Sequence, residues 1–389
     1  MSKQFQPPFI PPEARVLPRC PFAAACGGCS NQDVSYDFQV QLKREAVDAA
    51  FAAAGLSERV SEMIPCPDPF YYRNRMDYAF GRNGELGLKA IGRWWETLDL
   101  TTCYLLSPDT PEILKRVRKW ARAAELPFWD PKTQEGFFRY LVIREGKNTG
   151  QRLIELITST EGSPAMQQSF REALDDLATH ILWGVNDTRS EVSRSSRIEV
   201  LKGDSSFHES INGITYAIEH GSFFQTNSIM AATLQDAVVE AASSGKHVMD
   251  LYCGAGFFTL ALAKRGIKTM GVEIDPLAIE AAKANARLNG LEGIPFVASK
   301  TETYDWTVHN PDVVIVDPPR AGLHPDVIAA LTKALPERII YVSCKYEKLV
   351  EELPAFLKEY KIEKIVALDL FPHTPHIEVV VCLNRVSSH

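Results

Sequence analysis

From about residue 223 onward, short apolar runs alternate with amphipathic stretches, and no other feature of this sequence constrains the fold as tightly. Residues 248–251, 269–273, 313–316, 339–342, 365–370 and 378–383 read as strands. Residues 257–264, 276–288, 325–331 and 346–357 read as helices, with Pro276 at the first turn of the second. Apolar strands separated by helices predict an α/β domain over 219–389, built on a doubly wound, mostly parallel, Rossmann-like sheet. Ligands of such sheets bind beyond the carboxyl ends of the strands. The residues to weigh are therefore those that directly follow each strand.

The first strand runs out into Asp250-Leu-Tyr252-Cys-Gly254-Ala-Gly256. Glycines there let a ligand approach the backbone at a helix N-terminus. The next strand ends in Glu273, a carboxylate placed to accept from a ribose diol. Thr259 breaks the G-x-G-x-x-G pattern, which turns the expectation from a dinucleotide to a single nucleoside cofactor. A third strand end reads Asp317-Pro-Pro-Arg320-Ala-Gly, where two prolines stiffen the backbone and remove two amide donors. A fourth reads Ser343-Cys344, a cysteine at the mouth of the sheet, where its thiolate can meet substrate. Phe371-Pro-His-Thr-Pro-His-Ile-Glu378 leads into the last strand and is too rich in histidine, proline and carboxylate for a plain connector.

Upstream, strand-like runs at 76–80, 138–143, 152–157 and 198–201 and helical patterns at 111–125 and 164–177 predict an α+β domain on an antiparallel sheet over 63–218. Residues 36–62 form a helical segment, with an apolar stripe over 36–54. Residues 1–19 are proline-rich and predict an extended arm. Between them, the 20–35 loop carries Cys20, Cys26 and Cys29, and Cys103 is a candidate fourth thiol. The sequence shows no export signal, so the eight cysteines point to metal or catalytic chemistry rather than disulfides. Four thiolates suit zinc or an iron–sulfur cluster, and the spacing alone does not choose. Gly27 and Gly28 let the loop wrap a larger ligand. Cys66, Cys253 and Cys382 have no partner in this scheme.

A net charge of −7 argues against a uniformly nucleic-acid-binding surface but leaves room for local basic patches. Lys115, Arg116, Arg118, Lys119 and Arg122 surround Trp120. Arg73, Arg75, Arg82, Lys89 and Arg93 interleave with Tyr71, Tyr72, Tyr78, Trp94 and Trp95, as in surfaces that bind single-stranded RNA. No apolar run approaches the ~20 residues of a membrane helix. A cytoplasmic, monomeric protein is expected.

In order along the chain, Cys20-x5-Cys26-Gly-Gly-Cys29, Phe223-Phe-Gln225-Thr-Asn227, Asp250 to Gly256, Asp317-Pro-Pro-Arg320, Ser343-Cys344 and Phe371-Pro-His-Thr-x-His-x-Glu378 resemble the RNA 5-methyluridine (uracil-C5) methyltransferase family over residues 20–383. The resemblance implies Cys344 as the nucleophile and Glu378 as the base that removes the C5 proton. It implies S-adenosyl-L-methionine contacts at Gln225, Tyr252, Gly254, Glu273 and Asp317, and substrate contacts at Phe223, Asp317 and Arg320. It implies a [4Fe-4S] cluster on Cys20, Cys26, Cys29 and Cys103. Lys345 departs from the family's usual Asn after the cysteine and can lower the thiol pKa or contact phosphate. Only 19 residues precede Cys20, too few for the RNA-binding barrel of some members. A cluster without a barrel most resembles the branch acting on uridine 747 of 23S ribosomal RNA, with uridine 54 of transfer RNA as the alternative. A nitrogen methyltransferase would place an aromatic residue where Arg320 stands, and a non-catalytic iron–sulfur RNA-binding module would need neither Cys344 nor Glu378.

Overall fold

The computed structural model describes residues 9–386; the first eight residues of the expected arm lie outside the described residues. The C-terminal half is built on an eight-stranded sheet. Its spatial order is Glu62–Ile64, Tyr360–Leu368, Glu378–Arg385, Arg338–Ser343, Val313–Val316, His247–Leu251, Lys268–Glu273 and Phe296–Ala298. Every neighbouring pair is parallel except the two made by Glu378–Arg385, which runs antiparallel to both neighbours. Val313–Val316 is buried at every position, as a strand covered on both faces must be.

One face packs on Ser228–Ala242, Phe257–Lys264 and Pro276–Leu288, where Leu234, Leu260 and Ile279 meet Val248, Ile315 and Ile340. The other packs on Pro325–Ala334, Tyr346–Glu352 and the N-terminal helix Tyr36–Ala53. Val47 and Phe51 of that helix are fully buried against Val314, Val316 and Tyr341. The segment 36–64 is thus part of this layer, and the strand Glu62–Ile64 extends the sheet edge. The helix expected over 346–357 stops at Glu352 and tightens into a 3₁₀ turn, Leu353–Ala355, because Pro354 lacks the amide to continue it.

The central region forms a six-stranded sheet ordered Leu86–Gly87, Arg75–Phe80, Phe138–Glu145, Arg152–Thr158, His180–Val185 and Arg197–Lys202. It is antiparallel except for one parallel pairing, Arg152–Thr158 with His180–Val185, across the helix Pro164–Leu174. A hairpin, Ser206–Ile211 with Ile214–Glu219, then bridges the halves. Its Thr215 and Ala217 amides donate to Asn289 and Asn285 beside the helix Pro276–Leu288, and its His208 amide donates to Gln151.

Candidate active site

The turn after His247–Leu251 holds three left-handed residues within five: Tyr252, Gly254 and Gly256, at φ 73°, 52° and 86°. A Cβ added at Gly254 would meet nothing within 4 Å, so the turn faces open space. Gly256 caps the next helix without a side chain to offer. Asp250 fills that role from the strand: its Oδ2 accepts from the Thr259 amide at 3.0 Å and the Thr259 hydroxyl at 2.6 Å. The residue that broke the dinucleotide pattern is therefore the partner of a buried carboxylate. Burial raises the Asp250 pKa to about 7 against those hydrogen bonds, and its Oδ1 is buried without a partner. Glu273 closes the loop by accepting from the amides of Gly254 at 3.1 Å and Asp275 at 3.0 Å. Ile274 and Leu277, exposed beside it, give an apolar wall that suits an adenine. Gln225 is half-buried, and its carbonyl is held by the Asn74 side chain at 2.8 Å.

Cys344, Glu378, Asp317 and Arg320 come together at adjoining strand ends. Burial raises the Cys344 thiol pKa, the Glu378 carboxylate raises it further, and a hydrogen bond with Arg320 lowers it. Burial also pushes Glu378 well above the usual carboxylate range, with Asp317 adding and Arg320 opposing. Asp317 rises to about 7 through burial and the nearby Asp250. The cation facing the thiol is thus Arg320. Lys345, the expected candidate, is exposed and takes no part in the shift.

The turn carrying Asp317 and Arg320 has its own anchor, which sequence reasoning missed. Glu352 accepts from the Leu323 amide at 3.2 Å and from the Tyr341 hydroxyl at 2.6 Å. Gly322 sits at φ 85°, and a Cβ there would overlap Glu352 Oε1. Only glycine satisfies both conditions. Phe223 has 77% of its surface exposed, whereas the adjacent Phe224 is buried.

A family model described as tRNA (Uracil-5-)-methyltransferase matches residues 191–386. The chain is 39% identical over 369 residues to the tRNA (uracil(54)-C(5))-methyltransferase of Pyrococcus horikoshii, covering 95% of this chain and 86% of the relative. The chain belongs to the RNA uracil-C5 methyltransferase family. An uncharacterized RNA methyltransferase of Caldanaerobacter subterraneus is 34% identical, covering 94% of this chain and 84% of the relative. The crystal structure of the Pyrococcus abyssi tRNA (uracil-54, C5)-methyltransferase in complex with S-adenosyl-L-homocysteine matches with a TM-score of 0.80 at 33% identity, over 92% of this chain and 86% of that one. This protein is an S-adenosylmethionine-dependent enzyme that methylates uracil C5 in RNA, on a mixed α/β methyltransferase fold.

In this methyltransferase Cys20, Cys26, Cys29 and Cys103 line one small cavity, closed by Gln32 and Leu88. Burial raises all four thiol pKa values, Cys29 to about 12, and Cys103 adds repulsion to each of the other three. Among the described residues no group of three or more Cys, His, Asp or Glu side chains is arranged to hold a metal ion.

The two basic patches fare differently from expectation. Trp120 is a core residue, packed on Phe170 at 5.0 Å and Phe138 at 5.8 Å between ring centres. Arg116 pairs with Glu112 and Asp176, and Arg118 and Arg122 share Asp99. Four of its five basic side chains thus share the acidic partners Glu112, Asp99 and Asp176, while Lys119 is exposed with no ion pair among the described residues. In the second patch Tyr72 and Tyr78 are buried, and Arg75 pairs with Asp77. Trp94 and Trp95 remain 57% and 41% exposed, edge to face at 6.0 Å, with Lys132 over the Trp95 ring. They lie on the hairpin of Lys89–Ala90 and Arg93–Thr97, which bridges to Cys26 through Ala90.

Proposed function

We propose that the substrate is transfer RNA and the product 5-methyluridine at position 54. The observation that carries this is near full-length similarity to enzymes described as acting on that nucleotide. It favours the alternative over the 23S uridine 747 reading reached from the chain's motifs. Transcripts of transfer RNA and of the 23S fragment around uridine 747, each offered with labelled S-adenosylmethionine, separate the two. The label is expected in the transfer RNA and is lost when uridine 54 is replaced by cytidine. Label in the ribosomal fragment alone would overturn this assignment.

The chemistry follows from uracil. Its C5 is too weak a nucleophile to attack the sulfonium methyl unaided. The Cys344 sulfur adds to C6, and the C5–C6 electron pair moves into an enolate. C5 then attacks the methyl group, whose bond to sulfur breaks to leave neutral S-adenosylhomocysteine. Glu378 takes the C5 proton, the electron pair re-forms C5–C6, and the thiolate departs. Support comes from the thiol, the high-pKa carboxyl and Arg320 meeting at one strand mouth. Arg320 stabilises the thiolate. Asp317, half-buried beside both groups, suits a hydrogen bond to the uracil edge or the cofactor. Both faces of the ring must be reached, so the base leaves its stack, and the exposed aromatic ring of Phe223 suits contact with it.

Cys20, Cys26, Cys29 and Cys103 are proposed to hold a [4Fe-4S] cluster. What supports this reading is that the four thiols line one small cavity and that, once ionised, they repel one another, a repulsion a cationic centre would relieve. The cluster would tie the N-terminal loop to Cys103 and so brace the Trp94–Trp95 hairpin.

A further inference from the structure

Glu378 is the first residue of its strand, so its aim depends on the connection that precedes it. That connection is restrained far beyond what joining two antiparallel strands requires. Four consecutive carbonyls each accept from a different part of the chain. Leu370 O takes Asn227 Nδ2 at 3.1 Å, and Phe371 O takes Lys43 Nζ at 3.0 Å. Pro372 O takes the Tyr72 hydroxyl at 3.1 Å, and His373 O takes the Asn31 amide at 3.0 Å.

Gln39 locks the far end. Its Oε1 accepts from the His373 amide at 3.0 Å, and its Nε2 donates to the carbonyls of Asn31 at 2.9 Å and Val34 at 2.7 Å. The same Nε2 lies 3.2 Å from His373 Nδ1, and the other ring nitrogen of His373 is buried without a partner. His373 itself sits at φ 62°, a left-handed conformation that costs a non-glycine residue energy. Lys43 also pairs with Asp369 at 2.6 Å, with 4% and 0% of the side chains exposed. Buried pairs are weak contributors to stability and are better explained by the arrangement they specify.

One of these anchors, Asn31, belongs to the cysteine loop, just past Cys29, and Gln39 ties the same loop to His373 through the Asn31 and Val34 carbonyls. The neighbouring Gln32 accepts from the Cys20 amide at 3.1 Å while lining the thiol cavity. We infer that Gln39 and Tyr72 are positioning residues that hold the connection from which Glu378 removes the C5 proton, and that Gln39 couples that connection to the cysteine loop. The inference rests on Glu378 being the base.

The test uses the full chain and substrate RNA carrying tritium at uridine C5, and follows two rates. One is methyl transfer into the covalent adduct; the other is tritium release. Gln39→Leu removes the amide contacts at similar volume, and Tyr72→Phe removes one hydroxyl. Both are expected to release tritium roughly tenfold more slowly and to accumulate adduct on denaturing gels. Formation of the adduct and binding of cofactor and RNA stay near wild type. Equal slowing of both rates, or wild-type tritium release by Tyr72→Phe, overturns the inference. Glu378→Gln run alongside separates the two claims. Its failure to accumulate adduct defeats the base assignment itself. Its accumulation beside normal release by Gln39→Leu and Tyr72→Phe defeats only the positioning role.

Discussion

Burial, Glu378 and Asp317 all push the Cys344 thiol pKa up, and Arg320 opposes them. Thiolate formation therefore draws on that guanidinium and on the positive sulfonium that arrives with the methyl donor. Arg320→Ala is expected to move the pH midpoint of Cys344 alkylation upward, read by mass spectrometry of the Cys344 peptide. An unchanged midpoint would remove Arg320 from thiol activation. As the proposed base Glu378 accepts a proton only when ionised, and its pKa is raised, so turnover should climb with pH above the usual carboxylate range, as a pH profile of methyl transfer would show. Asp317 allows a stability test with a definite sign. Its folded pKa, about 7, exceeds the unfolded carboxyl value, so the folded state binds the extra proton between the two. Stability then falls as pH rises across that window. Asp317→Asn should stabilise the protein at pH 8 by on the order of 1 kcal/mol, discounted for its partial exposure, while abolishing activity. Cys344, Glu378 and Asp317 were legible in the sequence because each directly follows or opens a strand. Arg320's contact with the thiol was not, since Lys345 adjoins Cys344 in the sequence and Arg320 reaches it only through the packing of neighbouring strands.

At the level of elements, alternation of apolar runs and helices was enough to place six strands of the C-terminal sheet. What it left out were three-residue edges, Glu62–Ile64 and Phe296–Ala298, too short to show a period. Nor does any local pattern say that Tyr36–Ala53 covers a sheet formed two hundred residues later; its stripe marks an apolar face without naming the partner. That packing has a consequence. Phe51→Ala, at a fully buried position, should destabilise the methyltransferase half by about 3–5 kcal/mol. Denaturant unfolding checks it: a loss confined to an independent N-terminal unit would contradict the shared layer. For the basic helix Thr110–Ala123 the sequence shows the charges but not most of their ion pairs, because two of the acidic partners, Asp99 and Asp176, lie outside the helix.

Across the whole molecule, three surfaces converge on one task. In the proposed reading the strand mouths carry the reaction and the glycine turn and Glu273 frame the nucleoside, while the cysteine loop bridges to a hairpin bearing two exposed tryptophans. Stacking of unpaired bases on such rings contributes about 1–3 kcal/mol each, so Trp94→Ala and Trp95→Ala should weaken RNA binding by that order without altering cofactor affinity. Unchanged RNA affinity in both variants would show that the hairpin faces away from the substrate. The central claim is that uracil is methylated while covalently held by Cys344 and freed by Glu378. Its most direct test is to incubate Glu378→Gln with transfer RNA and S-adenosylmethionine, digest the product, and find the cross-linked peptide by mass spectrometry. The expected species is the Cys344 peptide joined to 5-methyluridine from position 54. Full turnover with no adduct, or an adduct on another cysteine, would contradict it.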